Sequence, residues 1–187
     1  MSEASRIIDL YQRKARDWAE SRARGNLFER PWLERFRALL APAAPILDLG
    51  CGSGEPMARC LIELGHPVVG VDSSEAMFEF CRSRFPEQEW IVADMRTLAL
   101  RRQFSGILAW DSFFHLCPDD QRRMFPVFRA HAAPGAALMF TSGPAEGEAI
   151  GVYCDEPLYH ASLGPAEYEQ LLATNGFAVK AYAAEDP

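Results

Sequence analysis

Three glycines at alternate positions directly follow a short apolar segment, and this spacing is suited to holding a ligand against the backbone. The run is Ile-Leu-Asp-Leu-Gly-Cys-Gly-Ser-Gly at residues 46–54, and a helical pattern begins directly after it. Glycine lets the chain turn tightly and approach a ligand with no Cβ in the way. A strand, a glycine turn and a helix in this order are typical of the nucleotide-binding corner of an open parallel sheet.

The charged residues beside this turn favour a cationic ligand that lacks phosphate. A dinucleotide site usually has the spacing Gly-x-Gly-x-x-Gly, with the pyrophosphate at the helix N-terminus. Here Gly54 comes one residue early, and Glu55 stands in the last glycine position. We expect the Glu55 carboxylate to lie at the helix start and to repel a phosphate, and Asp48 adds a second negative charge before the turn. S-adenosylmethionine carries a sulfonium and an ammonium group and no phosphate, so it suits this corner better.

Four segments of the chain resemble the class I S-adenosylmethionine-dependent methyltransferases, in particular small single-domain members that act on small molecules. They are ILDLGCGSG, VVGVDSSEAM ending at Met77, VADM ending at Met95, and ILAWDSFFHL ending at Leu116. They follow the order and the usual intervals of that family, and the resemblance extends over roughly residues 7–182. It implies a Rossmann-like methyltransferase fold with S-adenosylmethionine as the cofactor, and it says little about the methyl acceptor.

Alternating strand and helix patterns predict an α/β fold with a doubly wound, mostly parallel sheet. The expected strands are 46–49, 67–71, 90–93, 105–110, 136–141 and 177–182, and the expected helices within this part are 55–64, 73–85, 118–131 and 165–175. Ligands of such sheets bind beyond the carboxyl ends of the strands. We therefore expect the functional side chains at those strand ends.

Two helices are expected ahead of the sheet. The first has an apolar face from Ile7 to Trp18 and breaks at Arg24-Gly25-Asn26, and the second covers 29–40. We expect one domain over residues 1–187, in which residues 1–41 form a helical lid over an α/β core at residues 46–183.

The resemblance also implies a final antiparallel strand, inserted between strands five and six, that has no counterpart in this sequence. Only residues 183–187 follow the last expected strand, so either the chain is truncated or a tail is missing. Without that strand, backbone groups beside strand five lack partners. We expect a lower stability for this form than for one that includes the strand.

Acidic residues at two strand ends are expected to bind the nucleoside. Asp72 comes 22 residues after Gly50 (72 − 50), where a carboxylate can accept from both ribose hydroxyls, and the matching acid of the family holds the ribose. Asp72 and Ser73 can also cap the next helix. The resemblance places Asp94 on the adenine amino group and the amide of Met95 on a ring nitrogen; a turn aspartate is the alternative.

Further contacts to the cofactor follow from the same resemblance. The backbone of the turn is expected to contact it at Gly50, Cys51, Gly52 and Gly54, beside Asp48. Met77 can pack on the adenine face or belong to the core. Tyr11 and Trp18 share one face of the first helix, which folds over the cofactor in similar enzymes; ordinary helix packing explains the same pattern.

The end of strand four is expected to face the methionine part of the cofactor and the acceptor. Trp110 can contact the sulfonium through a cation–π interaction, and Asp111 can bind the ammonium group or position a nucleophile; a core tryptophan and a capping aspartate are the alternatives. His115 is the better candidate for a general base, and His160 is the weaker one. Residues 142–162 are expected to form a long loop that can act as a lid.

Composition narrows the function classes. The net charge of −7 argues against nucleic acid as the partner, and the absence of Asn/Asp-Pro-Pro-Tyr after strand four argues against amino methylation of nucleic acid. Five cysteines without a C-x-x-C pair indicate a reducing compartment and no metal site. The absence of a membrane span or signal peptide leads us to expect a cytoplasmic protein. We further expect a monomer or homodimer.

Two other functions stay open at this point. One is a non-catalytic S-adenosylmethionine-binding module, in which side chains would block the acceptor crevice. The other is a nicotinamide-dependent oxidoreductase, which would require a pyrophosphate beside Gly52 and Gly54.

Overall fold

The computed structural model describes residues 3–24 and 27–184 of the 187-residue chain. Its strands are β1 (Ile46–Leu49), β2 (Val68–Asp72), β3 (Glu89–Val92), β4 (Phe104–Ala109), β5 (Ala132–Phe140), β6 (Gly147–Tyr153) and β7 (Glu156–Ser162). Its helices are α1 (Glu3–Arg13), α2 (Ala15–Arg24), α3 (Arg30–Arg37), α4 (Met57–Glu63), α5 (Glu75–Arg84), α6 (Pro118–His131) and α7 (Pro165–Thr174). Single turns of 3-10 helix follow β3 at Met95–Thr97 and β4 at Phe113–His115.

The main sheet has five parallel strands in the order β3-β2-β1-β4-β5. The chain moves outward from β1 to β3 on one side, and then from β4 to β5 on the other. The strand order therefore reverses between β1 and β4, and this is where ligands of open parallel sheets bind. The predicted doubly wound, parallel α/β fold is confirmed.

Two apolar layers cover the two faces of this sheet. Alternate residues of a strand point to opposite faces: Leu47 belongs to the layer that contains α6 and α7, and Ile46 belongs to the layer that contains α3, α4 and α5. Phe125 and Phe128 of α6 and Phe78 of α5 are fully buried in these layers. Truncation of a buried phenylalanine costs roughly 3–5 kcal/mol, so both layers hold the strand ends firmly.

The strands of the sheet begin and end within one residue of the predicted bounds, with one exception. Strand β5 begins at Ala132, four residues before the predicted start at 136. Its pairing with β4 shifts between Phe104 and Gly106, and Gly135 has a positive φ of 77°. The Pro134-Gly135 pair, whose residue types are typical of a turn, therefore forms an irregularity inside the strand.

The N-terminal segment contains two helices where the sequence predicted one. Helices α1 and α2 meet at Lys14, and the bonds from Lys14 N to Leu10 O (2.9 Å) and from Trp18 N to Lys14 O (3.0 Å) continue across the junction. The junction is therefore a bend, which helical periodicity does not register. The predicted break at Gly25 and Asn26 lies outside the described residues. Helix α3 is shorter than predicted and ends at Arg37.

The prediction of a loop at 142–162 was wrong for most of that segment. Strands β6 and β7 form an antiparallel hairpin, and Cys154 and Asp155, with φ values of 49° and 63°, make its turn. Two positive φ values are typical of a tight hairpin turn. The alternation that marks these strands is weak, because residues 147–150 are exposed on both faces.

The prediction of a sixth strand at 177–182 was also wrong. Residues 177–184 have no regular secondary structure, and α7 ends at Thr174 before Gly176, which has a φ of 80°. Within the described residues, no strand pairs with the outer edge of β5. The apolar residues of this segment lack the neighbouring strand that extended backbone needs for its hydrogen bonds.

No helix in the described part of the chain combines the length and the apolar character that crossing a bilayer requires.

Candidate functional site

The glycine turn between β1 and α4 forms as predicted, and each of its three glycines has a positive φ. The values are 72° for Gly50, 53° for Gly52 and 75° for Gly54. A Cβ on Gly50 would lie 2.3 Å from the Cβ of Ser112, so only glycine fits there. A Cβ on Gly54 would meet the ring of Phe85 at 3.1 Å. Gly54 therefore packs against α5, and it lines neither of the clefts described next, contrary to its predicted ligand contact.

A crevice of about 940 Å³, including its open mouth, lies at the carboxyl ends of the strands. Eleven of the predicted site residues line it: Tyr11, Trp18, Gly50, Gly52, Asp72, Ser73, Met77, Asp94, Met95, Asp111 and His115. The N-terminal helix α1 covers it with Ala4, Ile7 and Ile8. Strand ends from both halves of the sheet thus contribute to one site.

A smaller cleft of about 340 Å³ adjoins the glycine turn. It shares Trp18, Gly50, Gly52 and Asp111 with the crevice and is also lined by the remaining predicted residues, Asp48, Cys51 and Trp110. Trp110 therefore does not line the main crevice, and the aromatic side chains there are Tyr11 and Trp18. The contact of Trp110 with the sulfonium stays a prediction, and Trp110 lines the smaller cleft beside Gly50.

Asp72 is fixed by the backbone of the glycine turn. Its Oδ2 accepts from the Gly52 N–H and its Oδ1 from the Ser74 N–H, both at 2.9 Å. Each carboxylate oxygen has two acceptor positions, so each keeps one for a ligand. Burial raises the pKa of Asp72, and backbone hydrogen bonds, chiefly from Ser74 and Gly52, oppose that rise. The arrangement suits a pair of adjacent hydroxyl groups.

Asp94 caps the short helix after β3 and is occupied by Arg96. Its Oδ1 accepts from the backbone N–H of Arg96, and the guanidinium Nε lies 2.9 Å from both carboxylate oxygens. These contacts with Arg96 hold the pKa of Asp94 below its usual range. Arg96 also reaches Asp120 of α6, with Nη1 at 2.9 Å from Oδ2. Asp94 therefore lies in the crevice as an ionised carboxylate in a fixed orientation, which can accept hydrogen bonds but cannot donate them.

Two carboxylates lie next to one arginine beside the smaller cleft. Arg22 of α2 forms an ion pair with Glu29 and lies 3.6 Å from Asp111. The second oxygen of Glu29, Oε2, is buried without a hydrogen-bond partner. Burial raises the pKa of Asp111, and burial with the nearby Asp72 raises that of Asp48 to about 7. The region carries an excess of negative charge that a bound cation would neutralise.

His115 is held at both ring nitrogens. Its Nδ1 lies 2.7 Å from the carbonyl oxygen of Tyr159, and its Nε2 lies 3.0 Å from the hydroxyl of Tyr11. A carbonyl oxygen only accepts, so Nδ1 carries the proton and Nε2 accepts from Tyr11. Burial lowers the pKa of His115 to about 4. The imidazole is therefore neutral at pH 7, and Tyr11 connects its lone pair to the crevice.

The β6–β7 hairpin closes this end of the site. Tyr153 stacks on Tyr11 with ring centroids 6.2 Å apart and meets Trp18 edge-on at 5.7 Å. His160 lies 5.0 Å from His115, centroid to centroid, so the weaker histidine candidate is beside the stronger one. The hairpin occupies the position that the predicted lid loop was expected to take.

The comparison with known families agrees with this geometry. Residues 46–135 match a family model described as a methyltransferase domain. This match covers just under half of the chain, and it agrees with the resemblance to the class I S-adenosylmethionine-dependent methyltransferases. The sequences and structures below are those to which the chain is similar.

Two curated relatives show how far the similarity extends. Trans-aconitate 2-methyltransferase of Azoarcus sp. (strain BH72) is 36% identical over 103 residues, which cover 54% of this chain and 40% of that protein. The dTDP-4-amino-2,3,4,6-tetradeoxy-D-glucose N,N-dimethyltransferase of Saccharopolyspora spinosa is 29% identical over 132 residues, 70% of this chain and 50% of that protein. The chain thus spans half the length of these curated relatives or less.

A solved structure extends the similarity to nearly the whole chain. The 1,6-didemethyltoxoflavin-N1-methyltransferase of Burkholderia thailandensis, in complex with its substrate and S-adenosylhomocysteine, superposes with a TM-score of 0.74. The match covers 98% of this chain and 80% of that one at 20% identity. At that identity the likeness supports the fold alone.

One electrostatic argument from the sequence needs correction. Helix α4 begins at Met57, so Glu55 precedes the helix instead of starting it. Glu55 is buried and paired with Arg59, and Arg84 lies 3.5 Å away. Because its charge is neutralised, Glu55 does not repel a phosphate strongly. The preference for a cation rests on Asp48, Asp72 and Asp111.

Sequence reasoning missed three side chains that shape the site. Arg22 follows Trp18 by one helical turn, and Arg96 follows Asp94 by two residues, so both spacings were visible in the sequence. Ser112 donates from Oγ to the carbonyl oxygen of Leu49 at 2.7 Å and lies against Gly50. No local pattern indicates that Ser112 contact, because it joins residues 63 positions apart.

Proposed function

We propose that this protein transfers a methyl group from S-adenosylmethionine to a small-molecule acceptor. The observation that carries the proposal is the strand-end crevice itself. One side presents Asp72 with an open acceptor position on each oxygen, and the other presents a neutral, buried His115 behind Tyr11. The first arrangement fits a ribose, and the second fits a group that must lose a proton.

The residues present fit the whole cofactor. We assign the ribose to Asp72 and the adenine to Asp94, with Met77 and Met95 beside it; Met77 is nearly fully buried and lines the crevice. The methionine end then lies toward Gly50, beside Arg22, Asp48 and Asp111. Its ammonium group would pair with Asp111 and Asp48, and its carboxylate would pair with Arg22.

S-adenosylmethionine, when bound, would supply a methyl group on a sulfonium. An acceptor lone pair would bond to the methyl carbon in line with the S–C bond, which breaks while the sulfur keeps the bonding electrons. The task of the protein is to align the groups and exclude water. Tyr11, Trp18 and Tyr153 enclose this end with aromatic rings. The proton of the acceptor passes to the Tyr11 oxygen as the Tyr11 proton moves to His115 Nε2. Because the pKa of His115 is low, this transfer is favoured only as the acceptor becomes acidic on methylation.

Small molecules are the acceptor class that the relatives support. The names of these relatives specify trans-aconitate, a sugar nucleotide and a toxoflavin precursor. The acidic crevice of this chain does not suit a nucleic-acid backbone.

Calorimetry with S-adenosylhomocysteine and with NAD tests the cofactor assignment. We expect the first to bind and Asp72→Ala to weaken it by roughly tenfold or more, about 1.4 kcal/mol. Asp119→Ala is the matched control, because that carboxylate is exposed and lines neither cleft. Binding of NAD in preference, or equal binding by Asp72→Ala, would contradict the assignment.

A methyl-transfer screen over pools of small amines, carboxylic acids and phenols tests the reaction. We expect one pool to yield a product that carries labelled methyl groups, with release of S-adenosylhomocysteine. Cofactor binding without transfer to any pool would support the non-catalytic module instead.

A further inference from the structure

Arg96 connects two acidic residues at the end of the crevice assigned to adenine. Its guanidinium Nε lies 2.9 Å from both oxygens of Asp94, and its Nη2 lies 2.5 Å from Oδ2. Its Nη1 donates to Asp120 at the start of α6, at 2.9 Å. All three residues line the crevice. This fork contact fixes the plane of the Asp94 carboxylate relative to α6.

The donors from Arg96 leave the Asp94 carboxylate with little free capacity. A carboxylate has about four acceptor positions. The backbone N–H, Nε–H and Nη2–H of Arg96 supply three donors, and the Nε–H is shared between Oδ1 and Oδ2. The carboxylate therefore keeps capacity for about one more donor, and a ligand can use it only by donating a hydrogen bond.

The ionisation of Asp94 follows from the same contacts. The charged groups that face it are Arg96 on its own turn and Asp120 on α6, and Asp120 also pairs with Arg123 at 2.8 Å. Contact with Arg96 is the main reason that the pKa of Asp94 is lowered. An ionised carboxylate cannot donate, so a carbonyl oxygen at the same place would be repelled.

We propose that Arg96 is a positioning residue that makes Asp94 a fixed, acceptor-only group and thereby selects a 6-amino purine over a 6-oxo purine. The inference rests on the proposed function, because it assumes that Asp94 faces the purine of the cofactor. Adenine presents an N6–H donor to the remaining acceptor capacity of the Asp94 carboxylate. Hypoxanthine presents an oxygen there, and a site built for a donor discriminates strongly against such a ligand.

The test compares binding of S-adenosylhomocysteine and S-inosylhomocysteine by calorimetry. The variants are Arg96→Met, which removes charge and fork, and Arg96→Lys, which keeps the charge alone. Arg123→Met is the matched control, because Arg123 pairs with Asp120 and has no contact with Asp94. Thermal melting of each variant checks that it is folded.

We expect the native chain to prefer the adenine ligand by roughly tenfold or more, and Arg96→Met to reduce this ratio to about twofold. Arg96→Lys should lie between them, and Arg123→Met should match the native chain. Without Arg96 the pKa of Asp94 rises. In a plot of the affinity for S-adenosylhomocysteine against pH, the loss of affinity at acid pH (the acid limb) should therefore begin at a higher pH in Arg96→Met.

The outcomes separate the two proposals. A native chain that binds neither nucleoside refutes the proposed function and this inference with it. A native chain that binds S-adenosylhomocysteine, with an unchanged ligand ratio and acid limb in folded Arg96→Met, refutes the role of Arg96 alone. An equal change in Arg123→Met would assign the effect to Asp120 and α6, and it would also overturn the inference.

Discussion

The two halves of the crevice are built in different ways. In the strand-end half, Asp72 is held by Ser74 and by the turn of the adjacent strand, and Asp94 is held by Arg96 two residues away. In the lid half, formed by α1, α2 and the β6–β7 hairpin, Tyr11 contacts His115 across 104 residues of sequence, and Arg13 contacts Glu156 across 143. Backbone geometry fixes the first half, whereas contacts between distant side chains assemble the second.

This difference suggests a division of labour. The strand-end half presents preformed acceptors to the cofactor, because the strands and the glycine turn hold them whether or not a ligand is bound. The lid half can separate without breaking the sheet, since its contacts to the core are made by side chains. Variants of the two halves should therefore affect different measurements, and the following predictions test that separation.

The largest effect is expected for Gly50→Ala. The new Cβ would lie 2.3 Å from the Ser112 Cβ at a φ of 72°, so the turn must shift and the donor from Gly52 to Asp72 must move with it. We expect the affinity for S-adenosylhomocysteine to fall by roughly 100-fold. Gly65→Ala is the control, because it has a φ of 86° and no atom within 4 Å. Calorimetry that found both variants equally impaired would show that backbone strain, and not the contact, matters.

His115→Gln is expected to affect turnover and not cofactor affinity. Glutamine keeps a donor for the carbonyl of Tyr159 but cannot take a proton from Tyr11, and loss of a general base costs roughly 10²-fold in rate. The measurement is kcat with an acceptor found in the screen, alongside the Kd for S-adenosylhomocysteine. His160→Gln, which changes the neighbouring ring, is the control. A parallel loss of rate and affinity would mean that His115 supports the whole lid and has no separate role as a base.

The same division explains how much could be predicted from the sequence. The five core strands, the turn and the positions of Asp72, Asp94 and Asp111 followed from local patterns, because a strand end and a glycine turn are encoded by neighbouring residues. The hairpin at 147–162 could not be predicted, since its exposed strands have weak alternation and pair mainly with each other. The tautomer of His115 was equally inaccessible, because it depends on the carbonyl of Tyr159, 44 residues away.

The errors have the same origin. Residues 177–182 have the composition of a strand but no partner within the described residues. Glu55 was treated as a charge at a helix start, whereas Arg59 and Arg84 neutralise it. In each case a tertiary contact, present or absent, overrode what the local sequence favoured.

The buried Asp48, in the strand-end half, is expected to lower the stability of the folded protein as the pH rises. Burial and the charge of Asp72 raise its pKa to about 7, whereas an aspartate in the unfolded chain titrates near 3.9. The folded state thus keeps this proton to higher pH, so this group lowers stability as the pH rises from about 4 to 7. Asp48→Asn should remove that slope and gain about 4 kcal/mol at pH 8. Urea unfolding at pH 5 and pH 8 measures it, with Asp119→Asn as an exposed control; parallel profiles for all three proteins would contradict the assignment.

The smallest effect is expected for Glu156→Gln in the lid half. Arg13 donates to both oxygens of Glu156 at 2.6 Å, and Lys14 lies 3.7 Å away. These groups are exposed to water, which screens them, so we expect no measurable change in melting temperature. The hairpin is nevertheless tied to α1 by this ion pair, and its loss should change the KM for the acceptor by roughly twofold, with the Kd for S-adenosylhomocysteine unchanged. High salt should reproduce the effect in the native chain.

Asp155→Asn is the control, because it removes one charge from the same turn and the structure does not pair Asp155 with Arg13. An identical change in that variant would show that net charge, and not the contact of Arg13 with Glu156, governs access of the acceptor to the site.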